Sequence, residues 1–270
     1  MLPSAARLVI GQYIPLESFV HRLNPFLKLV LTFCLMVGLF VFTTPQAYTA
    51  FLLFWLLSYR LARLTLAFFL RAVRPLLVVI LFTVVLHVFF TKGQPLWELG
   101  PIQITREGLH NAAHFSARLI LLVNFTSLLT LTTSAIELTF AIEKLLKPLS
   151  RLGFPAQDFA MMLTIALRFI PVLFNEMDKI VKAQTCRAVQ FRSGSVARRV
   201  RNYLAILVPL FINAFQRALE LAQAMDVRCY QAGRERGRFR VYPVAIRDVA
   251  AVLGTSTLFA LLIGLRTAAR

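Results

Sequence analysis

The sequence predicts an all-α integral membrane protein, with about five transmembrane helices and a cytoplasmic block of long amphipathic helices. Three observations predict it. Of 270 residues, 58% are hydrophobic and 24 are Phe, well above the apolar share of soluble domains. Apolar runs long enough to cross a bilayer recur along the chain, a crossing needing about 20 such residues. The formal charge of +18 gathers between these runs, as the lysine and arginine excess of cytoplasmic loops does. Beside runs of this kind, the basic balance does not point to nucleic acid.

Taken in order, the candidate spans are 26–43, 46–63, 74–91, 112–132 and 245–265. Ahead of Phe26 no short apolar run is followed by a small-residue cleavage site, so the first span is expected to be retained. The chain thus divides into 1–132, a block at 133–242 and a last helix within 243–270. In the first long helix of the block, from Ala156 to Arg187, Arg168, Asn175, Glu176, Asp178, Lys179 and Lys182 recur. Each charge at a bilayer centre costs about 2.5–3.5 kcal/mol on insertion scales, so the block is expected not to span. The second long helix, Tyr203 to Cys229, carries Asn213, Gln216, Arg217, Glu220, Gln223 and Asp226 on one face. Phe211, Ala214, Phe215, Ala218, Leu221, Ala222 and Met225 form the other, expected to pack on a neighbouring helix. Gly233 and Gly237 stop this helix, and Gly194 opens the gap before it.

Counting lysine and arginine orients the chain. The 1–28 segment, the stretch with Arg60, Arg63, Arg71 and Arg74, and the 133–242 block, with seventeen basic residues, belong in the cytoplasm. The 43–46 link and the 92–106 loop face out, and so does the C-terminus, with Arg266 and Arg270 on the less expected side. Cys34, Cys186 and Cys229 show no metal-knuckle or disulfide spacing and are expected to be small apolar fillers. His110 and His114 in HNAAH lie four apart on one helical face, but no glutamate follows His110 as the zinc-protease pattern requires. Neither a GxxxxGK[ST] phosphate loop nor a Gly-x-Ser-x-Gly elbow occurs. No catalytic, cofactor-binding or metal-binding residue is therefore assigned.

Two helix ends carry the remaining signal. AQTCR at 183–187 and AMDVR at 224–228 each place an alanine four residues before a terminal arginine. With GQYIPLESFVHRLNPFLKL at 11–29, LTLTTSAIEL at 129–138, IALRFIP at 165–171 and AMDVRCY at 224–230, the chain resembles the transmembrane T-component of energy-coupling factor (ECF) ABC transporters over nearly its whole length. The resemblance implies a prokaryotic, multi-pass cell-membrane scaffold with a cytoplasmic N-terminus and coupling block, and no catalysis or cofactor of its own. It would work with two ABC ATPase subunits and a small membrane substrate-binding S-component, for uptake of a vitamin or transition metal.

In that family, Ala-Arg-Gly motifs at two coupling-helix ends dock on the ATPases. Carried over, Arg187 with Cys186 and Ala188, and Arg228 with Val227 and Cys229, form the docking ends, supported by Ala183, Ala224 and Met225. The family's glycines are absent here, so Ala188 and Cys229 would need another conformation or some strain. An arginine fork at a helix C-terminus suits an acidic groove and complements the helix dipole. Two alternatives stay open: a conventional ABC importer permease that binds substrate itself, and an integral membrane metalloenzyme using Glu107, His110 and His114.

Overall fold

The computed structural model describes residues 13–99, 102–187, 189, 195–231, 233 and 242–268. They form two compact units, one from residues 13–134 with 242–268 and one from the described part of 135–233.

The first unit contains α1 (Pro25–Val41), α2 (Pro45–Leu61), α3 (Leu66–Val73), α4 (Leu77–Phe90), α5 (Arg106–Thr132) and α9 (Ile246–Ala268). Helix starts follow local chemistry. The Asn24 side chain accepts from Phe26 N at 3.1 Å and Pro25 opens α1 with its φ already set. Thr105 accepts from Gly108 N at 3.1 Å to cap α5. Leu39, Phe51, Trp55, Tyr59, Phe125 and Leu262 build the core. Gly38 sits where α1 meets Phe259 of α9: a Cβ there would stand 2.7 Å from that ring.

Several boundaries differ from expectation. The third helical rod begins at Leu66 rather than 74, because Arg74-Pro75 is carried through a single 3₁₀ turn, Arg74–Leu76, between α3 and α4. The turn before it is only 62–65, with Arg63 at φ 55°. α5 begins at Arg106 rather than 112. The 92–106 loop contains an antiparallel pair, β1 (Pro95–Leu99) and β2 (Ile102–Thr105), in an otherwise helical fold.

The second unit contains α6 (Ala135–Leu146), a 3₁₀ segment Lys147–Leu152 that ends on left-handed Gly153 at φ 88°, α7 (Ala156–Cys186) and α8 (Val196–Val227). α7 packs against both α6 and α8. α8 starts about two turns earlier than the sequence reading placed it.

Among the described residues five helices are long and apolar enough to cross a membrane: 67–90, 106–132, 156–186, 199–227 and 246–267. α1, at 17 residues, is apolar and shorter. Length and composition thus admit α7 and α8 as well, because each holds an 18-residue stretch with no more than two charged side chains. The reading of the cysteines as fillers is corrected, since Cys34, Cys186 and Cys229 are all exposed.

Candidate functional site

The two arginine-bearing termini have matching backbones. Arg187 is the C-cap of α7 at φ −83°, ψ 15°, and Arg228 is the C-cap of α8 at φ −85°, ψ 14°. Beyond Arg228 the chain closes a Schellman motif: Cys229 N donates to Asp226 O at 2.9 Å and Tyr230 N to Met225 O at 3.0 Å. Cys229 takes the left-handed position at φ 57°, where that motif favours glycine. At the other terminus Val189 N donates to Gln184 O at 3.2 Å, the same six-to-one bond. Ala188 lies outside the described residues, as do Gly194, Arg236, Gly237, Arg238 and Arg270.

The supporting residues fall into place around these caps. Arg187 N donates to Ala183 O and Gln184 O, and Arg228 N to Met225 O. Cys186, Arg187, Ala183, Ala224, Val227, Arg228 and Cys229 are exposed, Val227 at 84%. Each terminus therefore presents its arginine at the free end of a helix, where the last carbonyls leave negative partial charge beside the guanidinium.

The helices run in opposite senses. Glu176 in the middle of α7 accepts from Asn213 Nδ2 at 3.2 Å and pairs with Arg217 at 3.6 Å. Asp158 at the start of α7 accepts from Tyr230 Oη at 3.2 Å and from Gly233 N at 2.8 Å, just past the end of α8. Since α7 has 31 residues, at about 1.5 Å per residue it holds its Arg187 end about 46 Å from the Asp158 end. The two arginines thus stand at opposite ends of one antiparallel pair. The polar residues Asn213 and Arg217 of α8 meet α7, while Phe211 and Phe215 of the apolar stripe are 62% and 64% exposed. The expectation that the apolar stripe packs on a neighbour therefore fails at Phe211 and Phe215, whereas Ala214, Leu221 and Met225 of the same stripe are half-buried.

A second polar cluster, in the first unit, escaped the sequence reading. Asp248 is 2% exposed and accepts from Asn24 N and Ala245 N, both at 2.8 Å. Asn24 Nδ2 donates to Tyr242 O at 2.9 Å. Lys28, 5% exposed, donates from Nζ to Thr132 O at 2.9 Å and His21 O at 3.1 Å. His21 is held in turn: its Nε2 donates to Ile14 O at 3.0 Å, which leaves Nδ1 to accept from Ser18 Oγ at 2.6 Å in the neutral ring. The 21–28 segment thus holds the backbone at Thr132 and Tyr242 and the side chain of Asp248, all within this unit. Asn24 and Lys28 stand within the 11–29 motif, so half of the signal was present. Asp248 and Asp158 showed only as acids in a first helical turn, with partners 224 and 75 residues away.

Glu107, His110 and His114 do not converge on a metal. Glu107 accepts from Gln94 N at 2.7 Å and the Nε2 of His114 is hydrogen-bonded to Thr43 O. Among the described residues no three His, Cys, Asp or Glu side chains could hold a metal together.

Residues 17–239 match the family described as cobalt transport protein, CbiQ, a stretch that contains both arginine termini. The chain belongs to this family. It is a T-component, the transmembrane energy-coupling subunit of an energy-coupling factor transporter, and neither the substrate-binding permease nor the metalloenzyme is favoured. It is 47% identical over 251 residues to the energy-coupling factor transporter transmembrane protein EcfT of Thermosediminibacter oceani, covering 93% of this chain and 95% of that one. EcfT of Clostridium kluyveri is 44% identical over 248 residues, covering 91% and 92%. EcfT of Bacillus subtilis is 40% identical over 260 residues, covering 96% and 98%. With its apolar helices, the T-component is a multi-pass membrane protein. α9 lies beyond the family match.

Proposed function

We propose that this T-component transmits the ATP-driven motion of two ABC ATPase subunits to a small membrane S-component that binds the transported vitamin or transition metal. Arg187 and Arg228 each enter an acidic groove on one ATPase, flanked by Cys186 and Ala188 and by Val227 and Cys229, with Ala183, Ala224 and Met225 behind them. The 133–242 block acts as the coupling domain between membrane segments 1–132 and 243–270, and it lies with the N-terminus on the cytoplasmic side. ATP hydrolysis belongs to the partners, and the transported compound is chosen by the S-component.

The observation that carries this reading is the pair of matched C-caps at opposite ends of the antiparallel α7–α8 pair. Such an arrangement suits two separate acceptors, and a helix transmits displacement because its hydrogen-bonded ladder resists a change of length. A guanidinium offers a planar fork to a carboxylate, so docking gains geometry as well as charge.

Exchanging both arginines for glutamate tests it. Each reversal is expected to cost about 2–5 kcal/mol at a partly dehydrated contact. The single variants should weaken, and Arg187→Glu with Arg228→Glu should abolish, ATPase pull-down and ATP-dependent uptake at unchanged membrane abundance. Replacing Arg236 or Arg238 should cost about 0–1 kcal/mol. If the double variant still binds both ATPases and drives uptake like the parent, the arginines are not the grip.

A further inference from the structure

Arg118 lies well inside α5, a helix long and apolar enough to span the bilayer. Its described contacts are the Nε donation to Tyr48 Oη at 3.0 Å and two aromatic faces, with Cζ 5.2 Å from the Phe40 ring centre and 5.4 Å from that of Phe115. Among the described residues no carboxylate pairs with it; the ion pairs found join Arg22 to Glu17 and Lys179 and Arg217 to Glu176. A guanidinium half-buried between two aromatic rings, with no carboxylate beside it among the described residues, calls for an anion to fill its remaining donors. Its terminal amino groups have no described protein acceptor and are available to meet one.

The depth of this cation follows from its neighbours. Tyr48 is in the first turn of α2, and His114, one helical turn before Arg118, is hydrogen-bonded through Nε2 to Thr43 O in the turn between α1 and α2. Irregular backbone exposed to lipid does not occur within the hydrocarbon. That turn, where Thr43 is exposed, therefore marks the headgroup level, and Arg118 lies beside it. Phe40 and Phe115 are 59% and 38% exposed, so the rings over which the guanidinium sits open on the surface that lipid bathes.

We propose that Arg118, framed by Tyr48, Phe40 and Phe115, binds the phosphate of a membrane phospholipid at the level of the α1–α2 turn. The fork of the guanidinium matches two phosphate oxygens, and the exposed rings receive the upper acyl chains. A protein carboxylate is the less favoured ligand, because phosphates surround a bundle at this depth whether or not a partner is bound. The inference does not depend on the docking role of Arg187 and Arg228.

Native mass spectrometry of the full-length chain, with phosphatidylglycerol, with dioleoylglycerol, which has the acyl chains and no phosphate, and with inorganic phosphate, tests the proposal. The parent should retain phosphatidylglycerol and lose that retention when dioleoylglycerol replaces it at equal acyl content. Arg118→Gln should retain about five-fold less phosphatidylglycerol, the factor expected for one basic side chain at a lipid surface, and inorganic phosphate at the same concentration should not displace the lipid. Equal retention by Arg118→Gln and the parent overturns the proposal. So does equal retention of the two lipids by the parent, a comparison that needs no variant. Displacement by inorganic phosphate would mean a free-anion site, and loss of a copurifying subunit with lipid retention unchanged would mean a protein ligand; either result overturns it.

Discussion

Asp248 and Asp158 occupy the same position in two different regions. Each is the third residue of its helix, α9 and α7 respectively, and each accepts hydrogen bonds from a distant part of its own unit. Asp248 is 2% exposed and its partners are backbone amides of Asn24 and Ala245, so it closes the start of α9 and joins it to the start of α1. Asp158 is half-buried and its partners, Tyr230 Oη and Gly233 N, lie just beyond Arg228. The difference teaches how burial divides labour. In the first unit a buried acid secures the fold, whereas in the second a wetter acid fixes the segment beyond an exposed helix end. The unit cores differ in the same sense: Leu39, Phe51, Phe125 and Leu262 are buried in the first, whereas the buried apolar residues described in the second are Ala141, Ala156, Ala160 and Ile206.

The largest effect should come from Asp248→Ala. It leaves two amides without a charged acceptor in a buried place, which should cost about 3 kcal/mol or more. The readout is a lower unfolding temperature of the purified chain, and Asp248→Asn, which keeps an acceptor, should recover part of it. Asp158→Ala should cost about 1 kcal/mol or less, since water reaches the site. Its ATPase pull-down should nonetheless fall, because the segment after Arg228 loses its anchor. Equal loss of thermal stability in the two alanine variants would break the comparison.

The smallest effect, and one of opposite sign, is expected from Cys229→Gly. A left-handed non-glycine residue carries about 1 kcal/mol of strain, so glycine should tighten the end of α8. Slower hydrogen exchange at the Tyr230 amide, which donates to Met225 O, would show it. Faster exchange would mean that the cysteine side chain supports the turn in a way that outweighs its backbone strain.

Much of this was legible in the sequence. Apolar runs marked α1, α2 and α5 to within a few residues at most ends, and the two alanine-to-arginine spacings marked both helix termini, because periodicity and capping are local properties. The start of the third rod was misplaced because the stretch with Arg60, Arg63, Arg71 and Arg74 reads as a basic loop, yet Leu66–Val73 is helical and one 3₁₀ turn carries it on. Asp248 was invisible as a site because nothing in ten residues on either side of it mentions Asn24.

The sequence by itself determined that this chain belongs in a membrane, where its helices terminate in arginine and which residues of α8 share a face, since composition, caps and a 3.6-residue period depend only on neighbours along the chain. Only the tertiary structure decided that Asn213 and Arg217 turn toward Glu176 while Phe211 and Phe215 stay uncovered, that Cys229 takes a glycine's conformation, and that Asn24, Tyr242 and Asp248 meet. The physical reason is that a period defines two faces without naming the one that meets a neighbour, and that a hydrogen bond across more than two hundred residues depends on which chain segments the fold brings side by side.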